Sequence, residues 1–387
     1  MERPNRRRRG PVEVVVVEDS LVQRAHLVRV LEAGGSIRVI GEAAGGAEAV
    51  EVIERLRPDV ATLDLEIPDG GGQYVIEQVM GHCPTPILVL SATITTRSSA
   101  RAVEALVAGA VDALPKPGRW NAEEEERIRA AVTALRGIPV LRHPRGRLNG
   151  PGATRRNGGH ITGAASSPDT AGTTASTTAA TTASTTASTT DAAAAVRGSA
   201  SRVVGIAAST GGPPALATVL SGLVGLRSPV LVVQHLHDDF VEGLVEWMAR
   251  TSALPVKLAV DGEPILPATV YIGPGGRHLK VGPGRRIELS AAPDTIHRPS
   301  ADELFRSMAA QVGSVGVGVI LTGMGSDGEA GLLDMYRRGA TTIGQDAATC
   351  AVYGMPRAAA RAGALTTVAP LGEIAGEIIR SCVGVMA

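Results

Sequence analysis

The chain has 387 residues, a mass of 39.6 kDa and 44% hydrophobic residues, enough for two ordinary domains of about 100–200 residues each. Its 38 basic and 38 acidic residues cancel, which excludes a global field drawing the chain to nucleic acid or anionic lipid, and the run Arg6 to Arg9 reads as a solvated terminal arm. No apolar stretch reaches about 18 residues and the Arg-rich start leads into Val-Glu-Val, so no membrane insertion is expected. Cys83, Cys350 and Cys382 are too widely spaced for a disulfide framework or a paired zinc motif, which points to the reducing cytoplasm.

In chain order, apolar runs alternate with helix-like patterns. Strands are expected at Val14–Val17, Val39–Gly41, Val60–Leu63, Ile87–Leu90 and Ala110–Leu114. Helices are expected around Leu21–Leu31, Ala47–Leu56, Gln73–Met80, Ser99–Leu106 and Ala122–Leu135. This alternation with short connections predicts an open parallel sheet covered on both faces, an α/β fold. An Ala/Thr/Ser tract from Thr170 to Thr190 carries too little large apolar surface to offset the entropy of ordering. The organisation is therefore an arm over 1–10, a first domain over 11–137, a flexible linker over 138–200 and a second domain over 201–387. In the second domain the alternation resumes, with strands at Val203–Ala207, Val230–Val233, Thr269–Ile272 and Val315–Leu321. Helices are expected near Pro213–Leu220, Val241–Met248, Ala301–Met308 and Gly328–Tyr336, and the stretch from Leu254 to Pro299 reads as irregular.

Functional groups in a parallel open sheet collect at the carboxyl ends of strands. In the first domain those ends carry Glu18 and Asp19, Asp64, Ser91 and Lys116, one of only three lysines in the chain. Three carboxylates so close repel one another unless a hard cation such as Mg²⁺ sits among them. Asp64 can then accept a phosphoryl group, with Ser91 and Lys116 contacting its oxygens. Each residue alone is equally at home as a cap, a turn former or a loop residue; the ordered set carries the reading. The segments VVEDS, LDLEIPDG, LSA and PKP resemble the receiver domain of two-component response regulators. That resemblance implies a flavodoxin-like fold and phosphorylation of Asp64 by a histidine kinase. Ala113 departs from the pattern, since receivers usually place an aromatic switch residue there.

In the second domain, VVGIAASTGGPPAL reads as a strand, a tight turn and a helix start, with Ser209 in the turn. From this segment Ser209 is a nucleophile, a helix N-cap or part of a phosphate cradle, although no Lys follows Gly212 as a P-loop requires. The strand VLVVQ ends at His235, a candidate base. The run Thr322 to Gly328 supplies Asp327, either an orienting carboxylate or an N-cap of the helix that follows. The order Ser, His, Asp and the Ala-Ala-Ser-Thr-Gly turn disfavour a lipase-type hydrolase. Instead, ASTGGP, Gln234-His235, VYIGPGGRHL, HRPSADELF, LTGMGSDGEAG and QDAATCAVYGMPRAA resemble the catalytic domain of the chemotaxis protein-glutamate methylesterase/protein-glutamine glutaminase (CheB-type) family.

That resemblance implies Ser209 as nucleophile, His235 as general base and acid, Asp327 as orienter, and the backbone N–H groups of Thr210 and Met324 as oxyanion donors. It also implies γ-glutamyl methyl esters, and often glutamines, of chemoreceptor cytoplasmic domains as substrates, a chemotaxis histidine kinase as phosphodonor, and a receiver that covers the site until phosphorylated. No cofactor is implied for the esterase site. A receiver-controlled module that docks on receptors or kinase without turnover is the rival reading. A DNA-binding output is disfavoured by the neutral charge, and Gly284-Arg285-Arg286 reads as a turn between short strands.

Overall fold

A computed structural model describes residues 10–92, 96–138, 140 and 202–383, apart from the side chains of residues 92 and 96–98. Residues 1–9 of the expected arm and nearly all of the expected 138–200 linker lie outside the described residues.

The first five strands are β1 (Val12–Val17), β2 (Ile37–Ala43), β3 (Val60–Leu63), β4 (Ile87–Ala92) and β5 (Asp112–Lys116). They form a parallel sheet in the order β2-β1-β3-β4-β5. The intervening helices are α1 (Leu21–Glu32), α2 (Gly46–Leu56), α3 (Gly71–His82), α4 (Thr96–Ala108) and α5 (Ala122–Leu135). The valine run of β1 shows why both faces must be covered. Val14 and Val16 enter one buried cluster with Leu27, Leu31 and Ile128, and Val15 and Val17 enter the opposite one with Ile53, Val75 and Ile87. Helix starts follow local chemistry: Asn121 Oδ1 accepts from Glu124 N at 2.9 Å, with Glu123 to Glu125 in the first turn of α5.

The second sheet is built from β6 (Val203–Ala208), β7 (Val230–Gln234), β8 (Val256–Leu258), β9 (Val270–Ile272), β12 (Gly316–Ile320), β13 (Thr341–Gln345) and β14 (Thr367–Ala369). Its order is β14-β13-β12-β6-β7-β9-β8, again all parallel. The helices are α6 (Gly212–Ser221), α7 (Val241–Thr251), α8 (Ala301–Gln311), α9 (Glu329–Arg337), α10 (Met355–Arg361) and α11 (Leu371–Val383). From β6 the chain first builds the β7, β9 and β8 side, with β8 laid at the edge before β9, and later builds β12, β13 and β14 on the other side, so the direction of succession reverses between β6 and β12. Their carboxyl ends therefore open the crevice where an open α/β sheet binds its ligand.

The expectation of an irregular stretch from Leu254 to Pro299 is corrected. Besides the expected strand at Thr269–Ile272, which is β9, it holds β8 and an antiparallel hairpin of β10 (His278–Gly282) and β11 (Arg286–Ser290), joined by the expected turn at Gly284-Arg285. The unexpected β8, β10 and β11 are only three to five residues long and mix charged with apolar side chains, which hides the period in sequence. The elements after Thr341 were not expected at all, and they complete the sheet beside β12.

The first and second sheets share side chains across their boundary. Phe240, fully buried in a 3-10 turn at Asp238–Phe240, belongs to the cluster of the first sheet that contains Ala102, Ala105, Leu106 and Ala113. Val103 of α4 in turn is buried in the cluster of α6, α7 and the second sheet, and Leu236 packs against both. Between the two, α4 and α7 cross closely enough for Gly243 N to donate to Ser99 Oγ at 3.0 Å. A Cβ at Gly243 would lie 2.6 Å from Ser99 C and 2.7 Å from Ala100 N, so only glycine permits the crossing.

Gly243→Ala therefore forces α4 from α7 even though alanine favours a helix by about 1 kcal/mol over glycine. Hydrogen exchange is expected to speed up in α4 and α7 with the centres of both sheets unchanged, and unaltered exchange in α4 would refute the close crossing.

Candidate functional site

At the carboxyl edge of the first sheet, Glu18, Asp19 and Asp64 present carboxylate oxygens that all lie within 4.8 Å of one another. Glu18 and Asp64 are buried, at 2% and 5% exposure, whereas Asp19 is exposed. Lys116 Nζ bridges them, 2.7 Å from Glu18 Oε2 and 2.5 Å from Asp64 Oδ2. Burial pushes the Glu18 carboxyl above its usual range, the Lys116 ammonium pulls it back and the Asp64 charge adds to the rise. For Lys116 burial acts downward, but its hydrogen bonds to Asp64 and Glu18 win and raise it. The ammonium is thus held charged between two buried anions, the third carboxylate stands free toward solvent, and Ser91 is buried at the end of the adjacent β4. An all-oxygen donor set of this kind fits a hard divalent cation.

In the second sheet, β12, β6 and β7 lie side by side and bring three loops together. Ala208 pairs with Gln234, so Ser209 and His235 leave neighbouring strands at the same level, and His235 N donates to Ala208 O at 2.9 Å. Gln234 Nε2 fastens both exits by donating to Ser209 O and His235 O, each at 2.8 Å. From the other side Ser209 N donates to Thr322 O at 3.0 Å. A Cβ on Gly323 would come within 2.8 Å of Ser209 Cβ, so glycine is what lets the β12 loop approach the serine.

The alternatives for Ser209 can now be weighed. Helix α6 is capped by Gly211 without a side-chain bond, so Ser209 is not its N-cap. A phosphate cradle needs free N–H groups in the first turn, yet Pro213 and Pro214 have none and Gly212 N is taken by Ser209 O. Nor does a cysteine compete as nucleophile: burial, with the Asp346 charge, pushes the nearby Cys350 thiol up to about 12.

His235 Nε2 lies 2.8 Å from Asp327 Oδ2. Asp327 does not cap α9, whose N-cap is Gly328. It caps α8 instead, across a gap in sequence, accepting from Ser300 Oγ at 2.8 Å, Ala301 N at 2.7 Å and Asp302 N at 3.1 Å. Burial works against the carboxylate, but the His235 bond and the α8 amides hold it well below the usual carboxylate range. An ionised Asp327 can only accept, so Nε2 of His235 carries the proton and Nδ1 the lone pair. That Nδ1 is buried and has no hydrogen-bond partner among the described residues.

Thr210 is buried in the turn after β6, its carbonyl accepting from Thr322 Oγ1 at 3.0 Å, and Met324 follows Gly323 in the β12 loop. The structure thus gathers Glu18, Asp19, Asp64 and Lys116 in one cluster with Ser91 on the neighbouring strand, bonds His235 to Asp327, and sets Ser209, Thr210 and the Met324 loop at the exits of the adjacent β6 and β12. It adds Gln234, Ser300 and His297, whose motifs were visible in sequence but whose roles depend on contacts between distant segments.

Residues 204–378 match the family described as CheB methylesterase, and residues 14–131 match the response regulator receiver domain. The chain is similar to protein-glutamate methylesterase/protein-glutamine glutaminase 3 of Paramagnetospirillum magneticum, with 37% identity covering 96% of each protein. It is 39% identical to protein-glutamate methylesterase/protein-glutamine glutaminase 2 of Anaeromyxobacter dehalogenans, over 94% of this chain and 95% of that one. It is also similar to the crystal structure of the Thermotoga maritima CheB methylesterase catalytic domain, with 35% identity, a TM-score of 0.45 and coverage of 46% of this chain and 98% of that one.

Because the Asp327 carboxylate is held below its ordinary range, it stabilises the fold above its unfolded pKa of about 3.9, and that contribution disappears as pH falls through the folded value. Asp327→Asn is expected to cost about 1–3 kcal/mol at pH 7 by leaving donors of α8 and His235 poorly matched. The difference from wild type, followed by thermal melts, should narrow below about pH 4. A gap that stays constant down to pH 3 would contradict an ionised Asp327.

Proposed function

The chain belongs to the protein-glutamate methylesterase/protein-glutamine glutaminase family, and from that premise we propose that it hydrolyses glutamate γ-methyl esters, and deamidates glutamines, on the cytoplasmic domains of chemoreceptors. The observation that carries the site assignment is the His235 imidazole, with Nε2 fixed to an ionised Asp327 and Nδ1 left unpartnered one strand from Ser209.

Nδ1 takes the Ser209 proton as Oγ bonds to the ester carbonyl carbon. The carbonyl π electrons move onto oxygen, where the N–H groups of Thr210 and Met324 stabilise the oxyanion. On collapse the C–O bond to the methoxy group breaks and methanol leaves with the proton from Nδ1. Water then attacks the glutamyl ester of Ser209 and gives one proton to Nδ1, that proton returns to Oγ as the glutamic acid departs, and the acid releases its remaining proton to solvent as it ionises. With glutamine the same cycle releases ammonia. Asp327 stabilises the imidazolium formed in each half.

We read residues 11–137 as the receiver and residues 201–387 as the catalytic domain, joined by 138–200, in a cytoplasmic protein. Asp64 is the phosphoryl acceptor, supplied by a chemotaxis histidine kinase. Glu18, Asp19 and Asp64 are the residues that would hold Mg²⁺, which when bound supplies positive charge to the transferred phosphoryl oxygens. Ser91 and Lys116 read the phosphoryl group; once it is attached, Lys116 must exchange its bond to Asp64 for one to the new oxygens. The shared packing of Phe240, Leu236 and Val103 supports control of the catalytic domain by the receiver.

Methanol release from methylated receptor, with and without an acyl-phosphate donor, tests the reading. Ser209→Ala and His235→Ala are each expected to lose about 10⁴–10⁶ in turnover. Asp64→Asn should keep basal release and lose the response to the donor. Near-normal turnover in the Ser209 or His235 variant would overturn the triad, and a donor response that survives in Asp64→Asn would move the acceptor elsewhere.

A further inference from the structure

The base is not bare on its outer side. The imidazole of His297 lies on that of His235, with ring centroids 4.2 Å apart and planes 12° from parallel. The His235 side chain is only 7% exposed although it heads a loop, while His297 itself is exposed, so one ring separates the other from solvent. His297 is three residues from Ser300, whose Oγ donates to Asp327, and the segment runs on into the α8 amides that bind the same carboxylate. One stretch of chain therefore touches both the face of the base and its orienter. Its loop is held from several sides: Thr295 Oγ1 donates to His297 O at 2.7 Å, Arg298 pairs with Asp294 at 3.1 Å, and Gly276 N donates to Arg298 O at 3.3 Å.

We propose that His297 is a positioning residue for the hydrolytic reaction: its ring fixes the plane of His235, so that the Nδ1 lone pair points in a single direction and water is kept from that face. The inference rests on the assignment of His235 as the base. One hydrogen bond at Nε2 tolerates a tilt of the ring, because the torsion from an sp³ carbon to an imidazole is broad. A parallel ring against its face removes that freedom. The stack also suits the charge that His235 acquires in each half-reaction, since the face of a neutral ring attracts a cation. The charged or titratable groups facing His297 are His235 and Asp327, with the Asp294–Arg298 pair beside it in the loop. Although the residue as a whole is exposed, the desolvation of its ring, followed by the charge of His235, lowers its proton affinity against the pull of Asp327.

The test uses the full chain with an acyl-phosphate donor and methylated receptor, and compares wild type, His297→Ala, His297→Phe and His235→Ala. For His297→Ala, kcat is expected to fall roughly 10–100-fold with KM within about twofold, the signature of a misplaced catalytic group and not of lost substrate binding. His297→Phe retains a flat ring and is expected to restore kcat to within about threefold of wild type. A kcat for His297→Ala within about twofold of wild type, or a loss carried by KM alone, overturns the proposal. So does a Phe variant as slow as the Ala variant. If His235→Ala turns over normally, the assignment of the base fails first, and this outcome is distinguishable because the His297 variants are then beside the point.

Discussion

Four hydrogen bonds converge on the Asp327 carboxylate, one from an imidazole, one from a hydroxyl and two from the first amides of α8. A buried anion is costly unless its lone pairs are occupied, and each donor comes from a segment far from Asp327 in sequence. The carboxylate joins the β7 exit and the β12 loop, already neighbours through β6, to the start of α8, which no strand ladder reaches. Its charge also settles the proton on Nε2 of His235, and with it which nitrogen keeps the lone pair. Fold stability and chemical competence thus depend on the same group.

Both sheets obey one rule. Parallel strands buried on both faces leave only their ends for chemistry, and the carboxyl ends are where the loops gather. In the first sheet this places Lys116 between Glu18 and Asp64; in the second it places Ser209, His235 and Asp327 around the crevice beside β6. The first site holds three carboxylates against one ammonium, an acidic oxygen-rich set. The second carries one anion whose bonds are already satisfied, leaving a single basic nitrogen unengaged.

Much of this was legible in the sequence. Long β-branched runs such as VEVVVV, and strand ends marked by Asp64, Lys116, Ser209 and His235, give a parallel sheet and its functional edge directly. Between Leu254 and Pro299 only β9 was legible; β8, β10 and β11 were not, since three to five residues with mixed polarity show no period. Asp327 shows a subtler limit. Its capping character was readable from Gly-Ser-Asp-Gly before a helix, but the helix it caps is α8 and not α9, because the choice is made by tertiary approach. Gln234 and His297 likewise stood in plain motifs whose partners lie 25 and 62 residues away, the second count following from positions 297 and 235.

The exchange of Phe240 and Val103 between the two cores has a colloidal consequence. Each half of the molecule carries a fully buried apolar side chain whose surroundings belong to the other. Any event that parts α4 from α7 lays Phe240, Val103 and Leu236 open to water together, as one contiguous sticky surface. The closed form is then the more soluble form, and the open one survives at high concentration only if it recloses, or is covered by another surface, faster than two open copies meet.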